Sequence, residues 1–274
     1  DFYEMFYEDA EIASEVLGIT LTSRDKNADD PVPMAGVPWH SVETYLQGML
    51  RAGYKVTLCE QEEELRPGSK ILERVVTRVY TPGSLYEESL IGTDEVAGLA
   101  AISVKADGVG LAILDASTGH VWTMEHHGEE RWSRLVDDLL RSNPKEVVFS
   151  PRDADREEVR NAISQLDGVT FSQHTSSRRK GQDALKNILE VADLGHIDLG
   201  DSPLAMDAAG LAADYLAAMH LVDTIDVREV EIMRPEGNMV LLEMGPAQDW
   251  SGNLEIWKFG IQQHSYIKFS KSKS

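Results

Sequence analysis

The opening residues Asp1-Phe2-Tyr3-Glu4-Met5-Phe6-Tyr7 hold an aromatic ring and a carboxylate two positions apart. In an extended strand this spacing puts both side chains on one face, roughly 7 Å apart along the strand, and turns Tyr3 to the other face. An exposed ring can wedge between base steps, and a carboxylate beside it can accept a hydrogen bond from a displaced base. An ordinary edge strand also carries such residues, so the pattern by itself leaves both readings open. Other chemistries have weaker candidates. Asp115 ends a strand-like run, where a two-metal nuclease places a carboxylate, but Asp94, Asp137 and Asp198 stand at no characteristic spacing to it. The pair His126-His127 lacks the further ligands that zinc requires and reads as exposed polar sequence. No Gly-x-x-x-x-Gly-Lys-[Ser/Thr] occurs, and Pro67-Gly68-Ser69-Lys70 lacks the first glycine, so these residues are not expected to hydrolyse ATP.

The elements that must position these residues alternate between strand and helix, as in an α/β fold. Residues 9–17 have helical spacing and stop at Gly18, and 19–22 alternate as a short strand. An acidic loop with Pro31 and Pro33 follows, in which Met34-Ala35-Gly36 reads as a loop whose small residues allow close backbone approach. Ser41 is the expected N-cap of a helix over 42–52. Residues 54–60 and 75–80 read as strands, with Lys55 and Cys59 on the first of them as structural residues. Beyond 95, three strands (96–104, 109–115, 121–125) turn at Ala106-Asp107-Gly108 and Ser117-Thr118-Gly119. Helix (130–142), strand (146–150), helix (155–166) and strand (169–171) follow, the order of an RNase H-like fold. Residues 175–182 are polar and loop-like, and 205–223 form a long apolar helix.

The chain has 274 residues, enough for two domains and the start of a third, with 42% hydrophobic and 27% charged residues. No apolar run reaches the roughly 18–20 residues of a membrane span, and the acidic start is no signal peptide. Cys59 is the single cysteine, which excludes an internal disulfide and fits a reducing cytoplasm. With 47 acidic and 26 basic residues the net charge is -21, the opposite of the usual basic footprint of a DNA-binding protein. Either the acids coat surfaces away from DNA, as in a protein adapted to a very salty cytoplasm, or the acidity serves another partner. The runs at 25–30, 60–64 and 153–158 resemble solvated faces and loops, which favours the first. A halophile-like protein is expected to gain thermal stability between low and molar salt; a melting temperature indifferent to salt would remove that reading.

Further segments carry a family resemblance. The opening heptapeptide is followed by Pro33-Met34-Ala35-Gly36-Val37-Pro38-Trp39-His40-Ser41-Val42-Glu43-Thr44-Tyr45-Leu46, then Gly53-Tyr54-Lys55-Val56 and Cys59-Glu60-Gln61. Next comes Glu73-Arg74-Val75-Val76-Thr77-Arg78-Val79-Tyr80-Thr81-Pro82-Gly83-Ser84-Leu85. In order and spacing this set closely resembles the N-terminal mismatch-recognition domain of the MutS family of DNA mismatch repair proteins. The resemblance implies a piece of a longer protein. It implies a mixed-sheet mismatch-recognition domain at 1–88, truncated at its N-terminus, an RNase H-like connector domain at 95–204, and the start of a helical core domain at 205–274. In that last stretch Asn253-Leu254-Glu255-Ile256 would be a remnant of a family motif, Asp249-Trp250-Ser251-Gly252 departs from the expected basic pair, and the tail is atypical.

The resemblance further implies that Phe2 is a wedge inserted at a mispair from the minor groove and that Glu4 receives the displaced base. Asp1, Arg24, Met34, His40, Arg74 and Arg78 would contact the DNA around them. No catalytic, cofactor-binding or metal-binding residue is expected. The intact family member is an ATP- and Mg-dependent homodimeric clamp on mismatched duplex DNA that recruits a MutL-type protein; it is cytoplasmic and nucleoid-associated, with no membrane partner. The alternative from another class is an acidic protein–protein interaction module that binds a MutL-type partner without DNA.

Overall fold

The computed structural model of the chain describes residues 1–24, 31–61, 74–84, 98–115, 119–195, 202–219, 229–232 and 267–272. The first unit runs β1 (Phe2–Phe6), α1 (Glu8–Leu17), β2 (Thr22–Ser23), β3 (Pro33–Pro38), α2 (Val42–Arg51), β4 (Val56–Gln61) and β5 (Arg74–Tyr80). The second runs β6 (Gly98–Val104), β7 (Gly108–Asp115), β8 (His120–His127), α3 (Arg131–Ser142), β9 (Glu146–Phe149), α4 (Pro151–Ala154), α5 (Glu157–Ile163), β10 (Thr170–Gln173), α6 (Arg178–Ile188) and α7 (Pro203–Ala218). Two late strands, β11 (Glu229–Ile232) and β12 (Ile267–Ser272), join one sheet each.

The first sheet has the order β2-β3-β1-β12-β4-β5. Its core forms because alternate residues of β1, β3 and β4 turn inward: Tyr3 and Met5, Ala35 and Val37, Val56 and Leu58 meet Leu46, Met49 and Leu50 of α2. Helix α1 stops at Gly18, whose φ of 65° is a left-handed cap that an L side chain resists. Three expectations change in this unit. The stretch read as a loop at Met34-Ala35-Gly36 is strand β3, paired antiparallel with β1 from Phe2↔Pro38 to Phe6↔Met34. A bare β1 edge needs partners for its backbone groups, and β3 supplies them. The strand expected at 19–22 shrinks to β2. Ser41 does hold the N-cap position of α2, but it ends a 3-10 turn and its side chain makes no capping hydrogen bond; its hydroxyl donates to the Pro38 carbonyl at 3.3 Å instead.

The second sheet has the order β10-β9-β6-β7-β8-β11. Strands β6, β7 and β8 form an antiparallel meander, while β9 and β10 run parallel to β6. This is the RNase H-like arrangement. Its strands are near-continuous apolar runs because helices cover both faces. Leu99, Ala101, Ala112 and Leu114 face α6 and α7, while Ala100, Ile102, Leu111 and Ile113 face α3.

Here too the structure departs from expectation. Residues 175–182 are polar but not a loop, since α6 starts at 178 with the Ser177 hydroxyl accepting from the Lys180 amide. Its buried positions Gly181, Ala184, Leu185 and Ile188 keep helical spacing, and most lie past the polar window that suggested a loop. Helix α7, expected to open a helical core domain, packs instead on β6, β7 and α6. It is apolar nearly all round because it is enclosed on most sides. Asp153, in one of the acidic runs read as solvated, is buried and bonded to Ser150 and Arg156. Residues 25–30, 62–64, 220–223 and 249–256, with Asp94 and Asp198, lie outside the described residues.

Candidate nucleic-acid interface

Strand β1 sorts its residues by alternation. Tyr3 and Met5 are buried; Phe2 is 50% exposed, and Glu4 and Phe6 are half-buried on the outer face. Tyr3 fixes this orientation, because its hydroxyl donates to Glu60 Oε1 of β4. Burial, and then the hydrogen bond to the Glu60 carboxylate, hold the Tyr3 hydroxyl well above the ordinary tyrosine pKa. A strand anchored by Tyr3 inside must present Phe2 and Glu4 outside.

Around that face β3 and its following turn supply a frame. Glu4 stands opposite Gly36, and Phe6 opposite Met34. A Cβ on Gly36 would meet Phe2 Cδ1 at 3.8 Å and Glu4 Cγ at 4.0 Å, ordinary contacts, so this glycine is not required for fit. The Trp39 amide donates to the Asp1 carbonyl at 3.1 Å, which ties the end of β3 to the start of β1. Trp39 is 50% exposed, and its ring meets that of exposed His40 edge-on at 6.4 Å. The Arg24 guanidinium lies 5.9 Å from the Phe6 ring centroid. Asp1, Phe2, Glu4, Arg24, Met34 and His40 therefore share the β1–β3 half of the sheet.

Arg74 and Arg78 do not join them. Both lie on β5, the far edge strand, separated from β1 by β12 and β4. Arg74 is exposed there. Arg78 is half-buried and donates to the Tyr80 hydroxyl at 3.0 Å, on the side of the sheet where Tyr80 enters the core. Two aromatics of the β1–β3 face, Trp39 and Phe6, were not singled out from sequence. The signals were present: Trp39 follows Pro38 at the strand end, and Phe6 continues the Phe2, Glu4 alternation.

His126 and His127 sit on strand β8, so they point to opposite faces and cannot chelate one ion together. His126 is buried, with Nε2 2.7 Å from Asp138. His127 is the exposed one, with Nε2 2.8 Å from Glu125. Asp115 is buried at the end of β7, whereas Asp137 is exposed on α3. Among the described residues no group of three or more His, Cys, Asp or Glu could hold a metal ion, and no helix is long and apolar enough to cross a membrane.

His127 yields a pH prediction. The hydrogen bond to Glu125 raises its pKa above the ordinary 6.5, outweighing the small opposing effect of burial. Glu125 also accepts from the Leu204 and Ala205 amides at 2.7 and 3.1 Å, so protonated His127 supports the carboxylate that caps α7. A raised folded-state pKa contributes stability that is full below the unfolded value and lost as pH rises through the folded value. Thermal stability should therefore fall slightly between pH 6 and 8, and His127→Gln should flatten that slope. The effect is small because the side chain is 55% exposed. An NMR midpoint for His127 at or below 6.5 would contradict it.

The architecture defines a class: a mixed-sheet domain presenting an aromatic–carboxylate strand, joined to an RNase H-like domain. Residues 1–89 match the family description MutS domain I, and residues 97–224 match MutS domain II, so the latter takes in α7. The chain belongs to the MutS family. It is 42% identical over 220 residues to the DNA mismatch repair protein MutS of Anaeromyxobacter dehalogenans, covering 79% of this chain and 24% of that protein. It is 37% identical over 262 residues to that of Myxococcus xanthus (93% and 28%) and 45% over 150 residues to that of Syntrophomonas wolfei (55% and 18%). The chain thus spans about a quarter of the length of the curated relatives it matches.

Proposed function

We propose that this chain serves DNA mismatch repair by binding mispaired duplex DNA. In this reading Phe2 wedges into the mispaired step from the minor groove, and Glu4 accepts a hydrogen bond from the displaced base. The observation that carries it is the split of β1: Tyr3 is held inside by Glu60 while Phe2 and Glu4 project together from the opposite face. A mispair unstacks at low cost, so an apolar wedge selects it over a matched step. Glu4 repels phosphates where no displaced base awaits it, which disfavours ordinary duplex. Arg24, Met34 and His40 flank the wedge, with Asp1 beside it and Trp39 as an added aromatic contact. Arg74 and Arg78, at the far edge, serve only if the duplex crosses the whole sheet.

The domains at 1–88 and 95–204, the latter together with α7, then act as reader and connector. For the longer protein, the family points to a homodimeric, ATP- and Mg-dependent clamp in the cytoplasm that recruits a MutL-type partner; the residues here supply neither catalysis nor cofactor binding. Fluorescence anisotropy of the chain on a labelled G·T or one-base-bulge duplex, against the matched duplex at low salt, tests the reading. Tighter binding of the mispaired duplex is expected. Equal binding of both would leave the acidic protein-interaction module as the better account.

A further inference from the structure

Away from the β1–β3 face, a buried polar cluster sits where the two units meet. Its centre is Glu146, which opens β9 and is 0% exposed. One carboxylate oxygen accepts from the Tyr215 hydroxyl of α7 at 2.6 Å and from the Ser172 hydroxyl of β10, both in the second unit. The other accepts from the Gly83 amide at 3.2 Å, in the turn that follows β5. The compensating charge comes from the first unit: Lys55, just ahead of β4 and 7% exposed, places Nζ 3.6 Å from Glu146 Oε1. Lys55 Nζ also donates to the Tyr215 hydroxyl at 3.0 Å.

The partition of donors matters. Two of Glu146's partners belong to its own unit, which positions the carboxylate; the remaining amide and the cation arrive from the first unit and its exit turn. A buried charge is tolerable only when paired and hydrogen-bonded. If the first unit swings away, Glu146 loses both the Gly83 amide and the Lys55 cation and keeps only the Tyr215 and Ser172 hydroxyls. Contacts nearby point the same way: the Val79 amide of β5 donates to the Met219 carbonyl at 3.2 Å, and the Val79 side chain enters the second unit's core. The fit is also close, since a Cβ on Gly83 would lie 2.7 Å from Glu146 Cβ. Buried ion pairs stabilise little compared with apolar packing, so what such a pair contributes here is a defined relative position.

We propose that Lys55, Glu146 and Tyr215 form an interdomain latch that fixes the orientation of the first domain on the second. Lys55 and Tyr215 are positioning residues and touch no DNA in this account. The latch stands whether or not the β1–β3 face reads mispairs, and its test uses no DNA.

Nitroxide labels on Thr44→Cys in α2 and Arg152→Cys in α4, both exposed, report the interdomain distance by pulsed electron–electron resonance in the full 274-residue chain. The native Cys59 is fully buried and stays unlabelled. The parent should give one narrow distance distribution. Lys55→Met should lose that single peak to a broad or split distribution while far-UV circular dichroism is unchanged. Tyr215→Phe, which removes only the bridging hydroxyl, should broaden it in the same direction. A narrow, parent-like distribution in both variants would overturn the latch. So would loss of the second unit's secondary structure in both, which would make the cluster part of that unit's core.

Discussion

Phe2→Ala is expected to remove most of the preference for mispaired over matched duplex and to leave the first domain folded. The ring is 50% exposed, so truncation takes little from the core, and the melting temperature should hardly move. On the proposed wedge, what would be lost is stacking on a base, about 1–3 kcal/mol. Through the free-energy relation this is roughly a 5- to 150-fold loss of affinity for the mispaired duplex, with matched-duplex affinity little changed. Glu4→Ala should act on the other side of the ratio, since removing a carboxylate near phosphates strengthens binding to matched duplex. Trp39→Ala, at the end of the paired strand, should weaken binding to both duplexes. Paired anisotropy titrations decide the matter. A mispair-to-matched ratio unchanged in Phe2→Ala would remove the wedge.

Among the described glycines, Gly110→Ala is expected to be the most destabilising added methyl. A Cβ at this position of β7 would lie 2.1 Å from the Leu204 carbonyl oxygen and 2.7 Å from the Ala205 nitrogen. These are backbone atoms at the start of α7, so no rotamer change relieves the overlap, and the helix itself must move off the sheet. Displacing it disturbs the Glu125 cap and the contacts of Leu204, Ala205 and Ala208 with the core. The cost lies at or above the top of the usual overpacking range of about 1–3 kcal/mol. For a chain of this size that lowers the melting temperature by roughly 6–12 °C. Gly36→Ala, whose added Cβ makes only ordinary contacts, is the control and should shift it by little. Equal melting temperatures for Gly110→Ala and the parent would refute the close approach.

Elements whose information is local were legible in the sequence. Helix α1, with its αL glycine, and the β6–β7–β8 meander both follow from apolar periodicity and turn residues close in the chain. So does the alternation of Phe2 and Glu4 against Tyr3. Elements that depend on remote partners were not legible. Residues 33–36 look like a loop until β1 lies beside them, and Ser41 looks like a cap until the 3-10 turn diverts its hydroxyl to Pro38. Helix α6 hides its apolar stripe because its first turn is all polar, and α7 looks like the start of another domain because nothing local says what encloses it.

For the site, alternation along β1 placed Phe2 and Glu4 on one outer face, while only the family resemblance pointed to Met34 and His40 beside them. Distance along the chain could not separate Arg24, which reaches the Phe6 ring, from Arg74 and Arg78, which the strand order sends to the opposite edge. Strand order is set by which hydrophobic faces bury together, and no pair of neighbouring residues encodes it. The same holds for Lys55, Glu146 and Tyr215. Lys55 reads only as a structural residue and the other two carry no signal of their own, and only the docking of two units converts them into one buried charge cluster.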